Sequence, residues 1–496
     1  MTKKNILKII TAVILGILAI YLSVLHIDSQ YMWSDEIFSF NAGKMIIEKG
    51  EPLYDSGLHY DRAPLYHNLL ALSMKVFGVD EFGSRILNTP FLIGTAVIVG
   101  LFIYDLLKRT KLEKEKNLAI SYLGGLAYYI SNFATAMVRE TRMYTFSTFF
   151  FLLAVFLFYK GIVNPYEKGK RKIVWYKVDI NIYSICAGLL SFYICYATQP
   201  INILLGLGII VFLLVLSILK KSYKYLLLSI LITLFGLAYM YKAFDTWNVL
   251  SVFKELSPDW ATIFTPLYYS ILTVRNFPFV LFTAPLTLYF LIKKKDSSIA
   301  YLSSIVVSFL VFLSLQSAQH ERYWQDVVPL LVVLSVYVIV LFYQKEKNRI
   351  LRNILTVLVV SSCIFHIYLS IKEYTEIDTY TPHSISIQNK LEFNELFEYL
   401  NENLTKEDIL ICDFHSAYTL YEKGYNIGYL LLPDDDVNLV WGEDDLYFDI
   451  PIVKYSDLNS ITKENDGYVI VRDYDRFGDI PGTEIEEFTR PEVYKF

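Results

Sequence analysis

Long apolar runs alternate along this chain with short charged segments. Stretches of spanning length recur at 9–25, 85–107, 117–136, 144–163, 179–197, 201–219, 224–243, 276–292, 298–315, 326–343 and 350–371. A helix of about twenty apolar residues crosses a bilayer, so the pattern predicts a polytopic α-helical membrane protein with about eleven transmembrane helices. The region 179–219 is divided at Thr198-Gln199-Pro200, because a proline breaks a helix or opens a new one. The first run follows Lys3, Lys4 and Lys8 and has no small-residue cleavage site. It reads as a signal anchor.

Charge then orients the predicted helices. With the N-terminus inside, the segments at 3–8, 108–116, 160–177, 220–224, 293–295 and 345–352 fall in the cytoplasm, and these are the lysine- and arginine-rich loops. The outer face of the cell membrane receives a long first loop at 26–84, short segments at 137–143 and 198–200, loops at 245–275 and 316–325, and the tail. Within the first loop, 37–49 and 65–77 carry apolar faces at helical spacing and predict two amphipathic interfacial helices. Residues 1–371 form the expected membrane domain. Residues 372–496 are polar and acidic, with strand-like runs at 408–412, 429–432 and 467–471 and a helix near 392–401. They predict a small C-terminal α/β domain on the extracellular side.

Composition agrees with a membrane setting. At 54% hydrophobic residues and a mean hydropathy of +0.39, the chain holds more apolar surface than a soluble protein hides. Cys186, Cys195 and Cys363 lie in apolar runs, and Cys412 stands alone in a polar region. This spacing supports neither a disulfide framework nor a structural zinc site. Nothing in the charge pattern asks for a nucleic acid.

Candidate chemistry gathers on the outer segments. The first loop opens on Trp33-Ser34-Asp35-Glu36. A half-shielded carboxylate there could take a proton from an acceptor hydroxyl; the plainer reading is an N-cap with acidic residues at the positive end of the helix that follows. Next comes His59-Tyr60-Asp61-Arg62-Ala63-Pro64-Leu65-Tyr66-His67. Arg62 has the planar fork that suits a phosphate. His59 and Asp61 could hold a divalent metal ion or be simple polar surface. Arg139-Glu140-Thr141-Arg142-Met143-Tyr144 and Arg322-Tyr323-Trp324-Gln325-Asp326 place further arginines outside, as does Arg275. Outer arginines run against the positive-inside bias, so they are better explained by an anionic ligand or by the neighbouring acids than by membrane anchoring.

Four features in order carry a resemblance: Asp35-Glu36 after the first helix, Pro64-Leu65-Tyr66 opening a first-loop helix, Glu140 to Tyr144, and Arg322-Tyr323 with Pro329 beyond. Over about the first 345 residues the chain resembles the multi-spanning C-type (GT-C) glycosyltransferases, specifically the glycosyltransferase 39 / protein O-mannosyltransferase superfamily, which includes the lipid A aminoarabinose transferases. The resemblance implies a polyprenyl-phosphate sugar donor on the outer leaflet, an acceptor hydroxyl on protein, lipid or glycan, and inversion at the anomeric carbon. It implies Asp35 as the general base, with Glu36 and Glu140 as further catalytic acids. Arg62, Arg139, Arg142 and Arg322 would meet the donor phosphate, and His59, Tyr66, Tyr144 and Tyr323 would complete the substrate pocket. The chain departs from the Pro-Pro-Leu-Tyr of many relatives, with Ala63 in place of the first proline.

Two rivals remain at this stage. A transporter or flippase for a lipid-linked or anionic substrate would carry ionisable or helix-breaking residues near the bilayer midplane, whereas the helix centres here are almost free of charge. A structural or sensory protein would place its functional centre in the tail and leave the first-loop acids dispensable.

Overall fold

The computed structural model describes residues 30–32, 34–54, 57–164, 173–175, 178–243, 265–314, 321–375, 388–413, 416–417, 420–421, 423–432, 446–447, 450–471, 480–485 and 492–496, with scattered positions between 17 and 28. Most of the apolar run 9–25, the residues Gln319 and His320, and the side chain of Arg275 lie outside the described residues.

Helices dominate. In chain order they are α1 (Ser34–Lys49), α2 (Pro64–Phe77), α3 (Glu81–Arg85), α4 (Asn88–Leu107), α5 (Lys114–Tyr129), α6 (Asn132–Val138), α7 (Tyr144–Phe158), α8 (Ile182–Thr198), α9 (Leu204–Lys220), α10 (Tyr223–Ala243), α11 (Thr265–Asn276), α12 (Val280–Lys294), α13 (Ser297–Leu313), α14 (Val328–Lys345), α15 (Arg349–Thr375), α16 (Lys390–Asn403) and α17 (Leu458–Glu464). Among the described residues, four helical stretches are long and apolar enough to cross a membrane: Glu81–Leu107, Tyr144–Val163, Pro200–Lys220 and Arg322–Lys345. The apolar helices Ile182–Thr198, Tyr223–Leu234 and Ser297–Leu313 are shorter. Outward faces are apolar as well: Val97 and Leu101 on α4, Leu190 and Tyr193 on α8 and Leu231 and Leu234 on α10 are all half-exposed or more. A helix apolar on every side belongs in lipid, and the chain is an α-helical membrane protein.

The chain divides into two compact units. The first comprises Met1–Thr89, Val138–Arg142 and Glu376–Phe496; the second comprises Pro90–Met137 and Met143–Thr375.

In the second unit α7 packs on α8 and α9 on α13. The break expected at Pro200 is present: α8 stops at Thr198 and Pro200 opens a 3₁₀ turn, Pro200–Ile203, ahead of α9. Several buried polar side chains of this unit pair with one another. Thr148 Oγ1 donates to Asp326 Oδ1, Asn202 Nδ2 to Ser147 Oγ, and Trp324 Nε1 to Thr273 Oγ1.

In the first unit α1 lies against α2. Gly43 permits the close approach, since a Cβ there would stand 3.1 Å from both Leu70 Cγ and Met74 Sδ. On α2, Tyr66, His67, Leu70, Ala71 and Met74 point inward, while Leu65, Leu72, Val76 and Phe77 form an exposed apolar stripe. Such a stripe suits the membrane interface.

The tail builds a seven-stranded sheet in the order β10-β11-β9-β5-β6-β8-β7. Here β5 is Ile409–Asp413, β6 Ile427–Leu432, β7 Leu446–Tyr447, β8 Ile450–Lys454, β9 Gly467–Val471, β10 Thr483–Glu484 and β11 Glu492–Lys495. The central strands β9, β5, β6 and β8 run parallel, and the outer pairings are antiparallel. Period-two alternation divides its residues between two cores. Leu410, Cys412, Leu430, Leu432, Tyr468 and Ile470 pack with Phe393, Leu396 and Leu400 of α16, while Ile411, Leu431, Val453, Val469 and Val471 pack with Leu458 of α17. Both faces are covered, which is why these strands read as continuous apolar runs. At the start of β9, a Cβ on Gly467 would sit 2.0 Å from Ile409 O of β5. Gly467→Ala must push these strands apart and is expected to cost about 1–3 kcal/mol, measurable as a lowered thermal midpoint of the purified protein. The short strand β1 (Gln30–Tyr31), just ahead of α1, pairs antiparallel with β4 (Gln388–Asn389) of the tail.

Candidate functional site

The first unit brings most of the expected site residues together. Asp35 and Glu36 occupy the first turn of α1, and successive positions on a helix face different ways. They therefore meet different arginines. Asp35 Oδ2 lies 3.3 Å from Arg142 Nη2, with Arg142 4% and Asp35 27% exposed. Arg142 Nη1 also donates to the Asp35 carbonyl at 2.7 Å and to Ser39 Oγ at 2.9 Å. The guanidinium thus orients an aspartate that still faces outward.

Glu36 turns inward. Its carboxylate receives Arg85 Nε at 3.0 Å and Nη2 at 3.1 Å, both residues 2% exposed. Arg85 Nη1 donates to the Ile27 carbonyl, and the Thr141 backbone N–H donates to Glu36 Oε1. One carboxylate therefore joins α1, α3 and the turn at 138–142. That turn is further held by Asn88 Nδ2 on the Glu140 carbonyl at 2.6 Å and by Ser84 Oγ against Thr141 Oγ1 at 2.8 Å. Glu140 is itself buried. Arg139 is half-buried, and its Nη2 reaches the Leu25 carbonyl at 3.4 Å.

Aromatic rings line the neighbouring loop. Phe38, Tyr54, Tyr60, His67 and Tyr66 form a chain of edge-to-face contacts with centroids 4.8–5.5 Å apart, a favoured geometry for π systems. Tyr66 is fully buried, and burial pushes its phenol well up. Burial, with Tyr60 beside it, pushes Tyr54 up to about 12 against the pull of Arg62 and Arg142. Both phenols are neutral at physiological pH. His67 is buried, and desolvation with Arg142 nearby lowers it to about 4, so it is neutral as well.

Arg62 differs from Arg85 and Arg142. It is exposed and, among the described residues, makes no ion pair, while Arg85 and Arg142 are committed to Glu36 and Asp35. The residue after it, Ala63, has φ 44° and ψ 52°, the left-handed conformation. That conformation costs an L-residue roughly 1–2 kcal/mol. It is also closed to proline, whose φ is fixed near −65°, so a Pro-Pro pair would not adopt this turn.

His59 Nδ1 and Asp61 Oδ1 pair at 2.6 Å on the surface, 52% and 85% exposed. Among the described residues no group of three or more His, Cys, Asp or Glu comes together. Two exposed donors fall short of the ligand set a divalent cation takes from a protein.

Tyr144, Arg322 and Tyr323 belong to the second unit, where the Arg322 guanidinium lies 5.9 Å from the Tyr144 ring centroid and 5.7 Å from that of Tyr323. Arg85, Ser39, Asn88 and His67 were not among the residues expected from the sequence. Arg85 carried a usable signal, an arginine opening an apolar run. The other three look like ordinary polar residues until the fold surrounds them.

No family model matches the chain. A curated relative, an uncharacterized protein of Aquifex aeolicus (strain VF5), is 27% identical over 158 residues, 31% of this chain and 30% of that one. Likeness among solved structures is far more extensive. ArnT from Cupriavidus metallidurans bound to undecaprenyl phosphate superposes with a TM-score of 0.59 at 11% identity, over 98% of this chain and 97% of that one. The apo form gives 0.57 at 10%, over 99% and 98%. The Archaeoglobus fulgidus oligosaccharyltransferase, tethered to an acceptor peptide, gives 0.50 at 11%, over 92% of this chain and 68% of that one. At these identities the likeness is one of fold: over nearly its whole length this chain is folded like ArnT and, less closely, like the oligosaccharyltransferase.

Proposed function

We propose that the protein transfers a sugar from a polyprenyl-phosphate donor to an acceptor hydroxyl at the outer surface of the cell membrane. The observation that carries this reading is Asp35: a partly exposed carboxylate at the head of α1, gripped by a buried arginine from a separate segment. The ArnT likeness supports it, because that protein is solved with undecaprenyl phosphate bound. The topology goes with the proposal: about eleven spans, the N-terminus cytoplasmic, residues 1–371 as membrane domain and 372–496 as an extracellular α/β domain.

The step is a single displacement. The acceptor oxygen attacks the anomeric carbon as its proton passes to the Asp35 carboxylate. The bond from that carbon to the phosphate oxygen breaks, and its electron pair leaves on the polyprenyl phosphate. Phosphate is a good leaving group, so the protein contributes orientation and charge stabilisation. Arg62 is placed to meet the phosphate, and Arg142 orients Asp35. Glu36 acts as a positioning residue, holding the 138–142 turn that delivers Arg142 and Glu140. Arg139 is proposed as a lesser phosphate contact and the ring of His59 as a wall of the pocket, with the buried Tyr66 packed behind it against His67; Arg322 of the second unit is proposed as a phosphate-binding group in its own right. Tyr144 and Tyr323 serve Arg322 as aromatic support.

Incubation of the purified protein with labelled polyprenyl-phosphate sugars and a membrane extract as acceptor tests the reaction class. Label must move from the lipid to a new product; donor consumed only by hydrolysis, or not at all, removes the proposal. Arg62→Gln is expected to raise the donor KM roughly 10- to 100-fold, the range of one lost charge-assisted hydrogen bond, with a smaller change in kcat.

A further inference from the structure

His67 lies one turn into α2, and its imidazole points back at the residues ahead of the helix. Nδ1 is 2.9 Å from the Arg62 carbonyl and 3.0 Å from the Ala63 carbonyl. Carbonyls only accept, so Nδ1 must carry the hydrogen and share it between the two. The His67 backbone N–H donates to the same Ala63 carbonyl at 3.1 Å. Thus one buried residue binds both carbonyls flanking the left-handed turn at Ala63.

That turn needs a restraint. Ala63 is 2% exposed and sits at positive φ without being glycine, and such strain persists only where surrounding contacts over-determine it. Its neighbour Arg62 is exposed and, among the described residues, makes no ion pair, and the φ of Ala63 sets the direction in which the chain leaves Arg62 for α2. The imidazole is walled by Tyr60 and Tyr66 at 4.8 and 5.3 Å, so it cannot swing away without opening the aromatic chain.

We propose that His67 is a positioning residue for donor binding: its Nδ1–H clamps the Arg62 and Ala63 carbonyls, holds Ala63 left-handed, and so fixes where Arg62 presents its guanidinium. This rests on the reading above, in which Arg62 meets the donor phosphate. The role is distinct from acid–base chemistry, since the proton on Nδ1 stays on a backbone contact throughout. A glycine at 63 would adopt the turn without the clamp, which makes the two positions interdependent.

The test uses the full chain in detergent micelles with undecaprenyl phosphate as the probe. Two readouts are followed: the dissociation constant of the lipid, and the rate of tryptic cleavage after Arg62, identified by fragment mass. His67→Phe keeps a flat ring and loses the donor. It is expected to weaken lipid binding roughly tenfold or more, the effect of misplacing one charged contact, and to speed cleavage at Arg62. His67→Asn keeps an N–H near the Nδ1 position and is expected to stay close to wild type in both. Adding Ala63→Gly to His67→Phe is expected to recover most of the binding. Unchanged cleavage in His67→Phe overturns the clamp. Faster cleavage with unchanged binding also overturns the proposal, since His67 would then be structural alone. Lipid binding by the wild type that is indifferent to Arg62→Gln instead removes the phosphate reading of Arg62, a failure the cleavage assay reads separately. If His67→Phe does not fold, the comparison of His67→Asn with His67→Gln, which moves the donor to the Nε2 position, decides the same question.

Discussion

Asp35→Asn is expected to cut transfer by about 10²–10⁴-fold, the range of a positioned general base, while the protein stays folded and still binds undecaprenyl phosphate. Asparagine preserves the size and hydrogen-bonding reach of aspartate but cannot hold a proton taken from the acceptor. The exposed side of Asp35 means that little packing is lost. Arg142 keeps the Asp35 carbonyl and Ser39 Oγ as partners, so its guanidinium remains tied even when the charge opposite is gone. Single-turnover transfer, lipid binding and thermal midpoint should be measured on the same preparation. Wild-type turnover in Asp35→Asn would remove the base assignment, and loss of folding would show that the Asp35–Arg142 pair is a strut instead.

Glu36→Gln is expected to behave in the opposite way, with its largest effect on stability. The Arg85–Glu36 pair is almost completely out of water. Removing one partner of such a pair leaves the other charge uncompensated and costs about 3–5 kcal/mol. The glutamine oxygen can still accept from the Thr141 N–H, but its NH2 then faces Arg85 Nη2 donor to donor, so activity should fall with the folded fraction and with the order of the turn that carries Arg142. The double variant Glu36→Leu with Arg85→Met removes both charges and is expected to recover most of the stability, since apolar replacements of buried ion pairs are often neutral. Two results would change the assignment. A stable but inactive Glu36→Gln would give Glu36 a chemical role, and a double variant no better than the single one would show that the Thr141 contact outweighs the ion pair.

Adjacent acids at the start of a helix were visible in the sequence, and their unequal fates were not. Ser34-Asp35-Glu36 opens α1 with both acids in its first turn, yet the two carboxylates diverge because the helix rotates each residue by about 100° from the last. One then faces Arg142 and the other Arg85. Arg139-Glu140-Thr141-Arg142 showed two arginines on an outer turn. Only the fold separates them, with Arg142 buried against Asp35 and Arg139 half-buried with a hydrogen bond to a backbone carbonyl. The substitution of Ala63 for a familiar proline looked like a blemish in a motif. The backbone explains it, since the turn is left-handed there and proline is barred.

The sequence by itself determined that apolar helices alternate with charged ends, that a break falls at Pro200, and that a run of strands follows the last long helix. These features follow from local periodicity and from the cost of exposing a backbone to lipid, both of which act within one segment. Only the tertiary structure decided which arginine each acid meets, that His67 turns its Nδ1–H on two carbonyls, and that β1 ahead of Asp35 pairs with β4 of the tail. The pairings of the two acids and of β1 with β4 join residues 49 to more than 350 positions apart along the chain, and no periodicity within a segment encodes a contact whose partner lies in another.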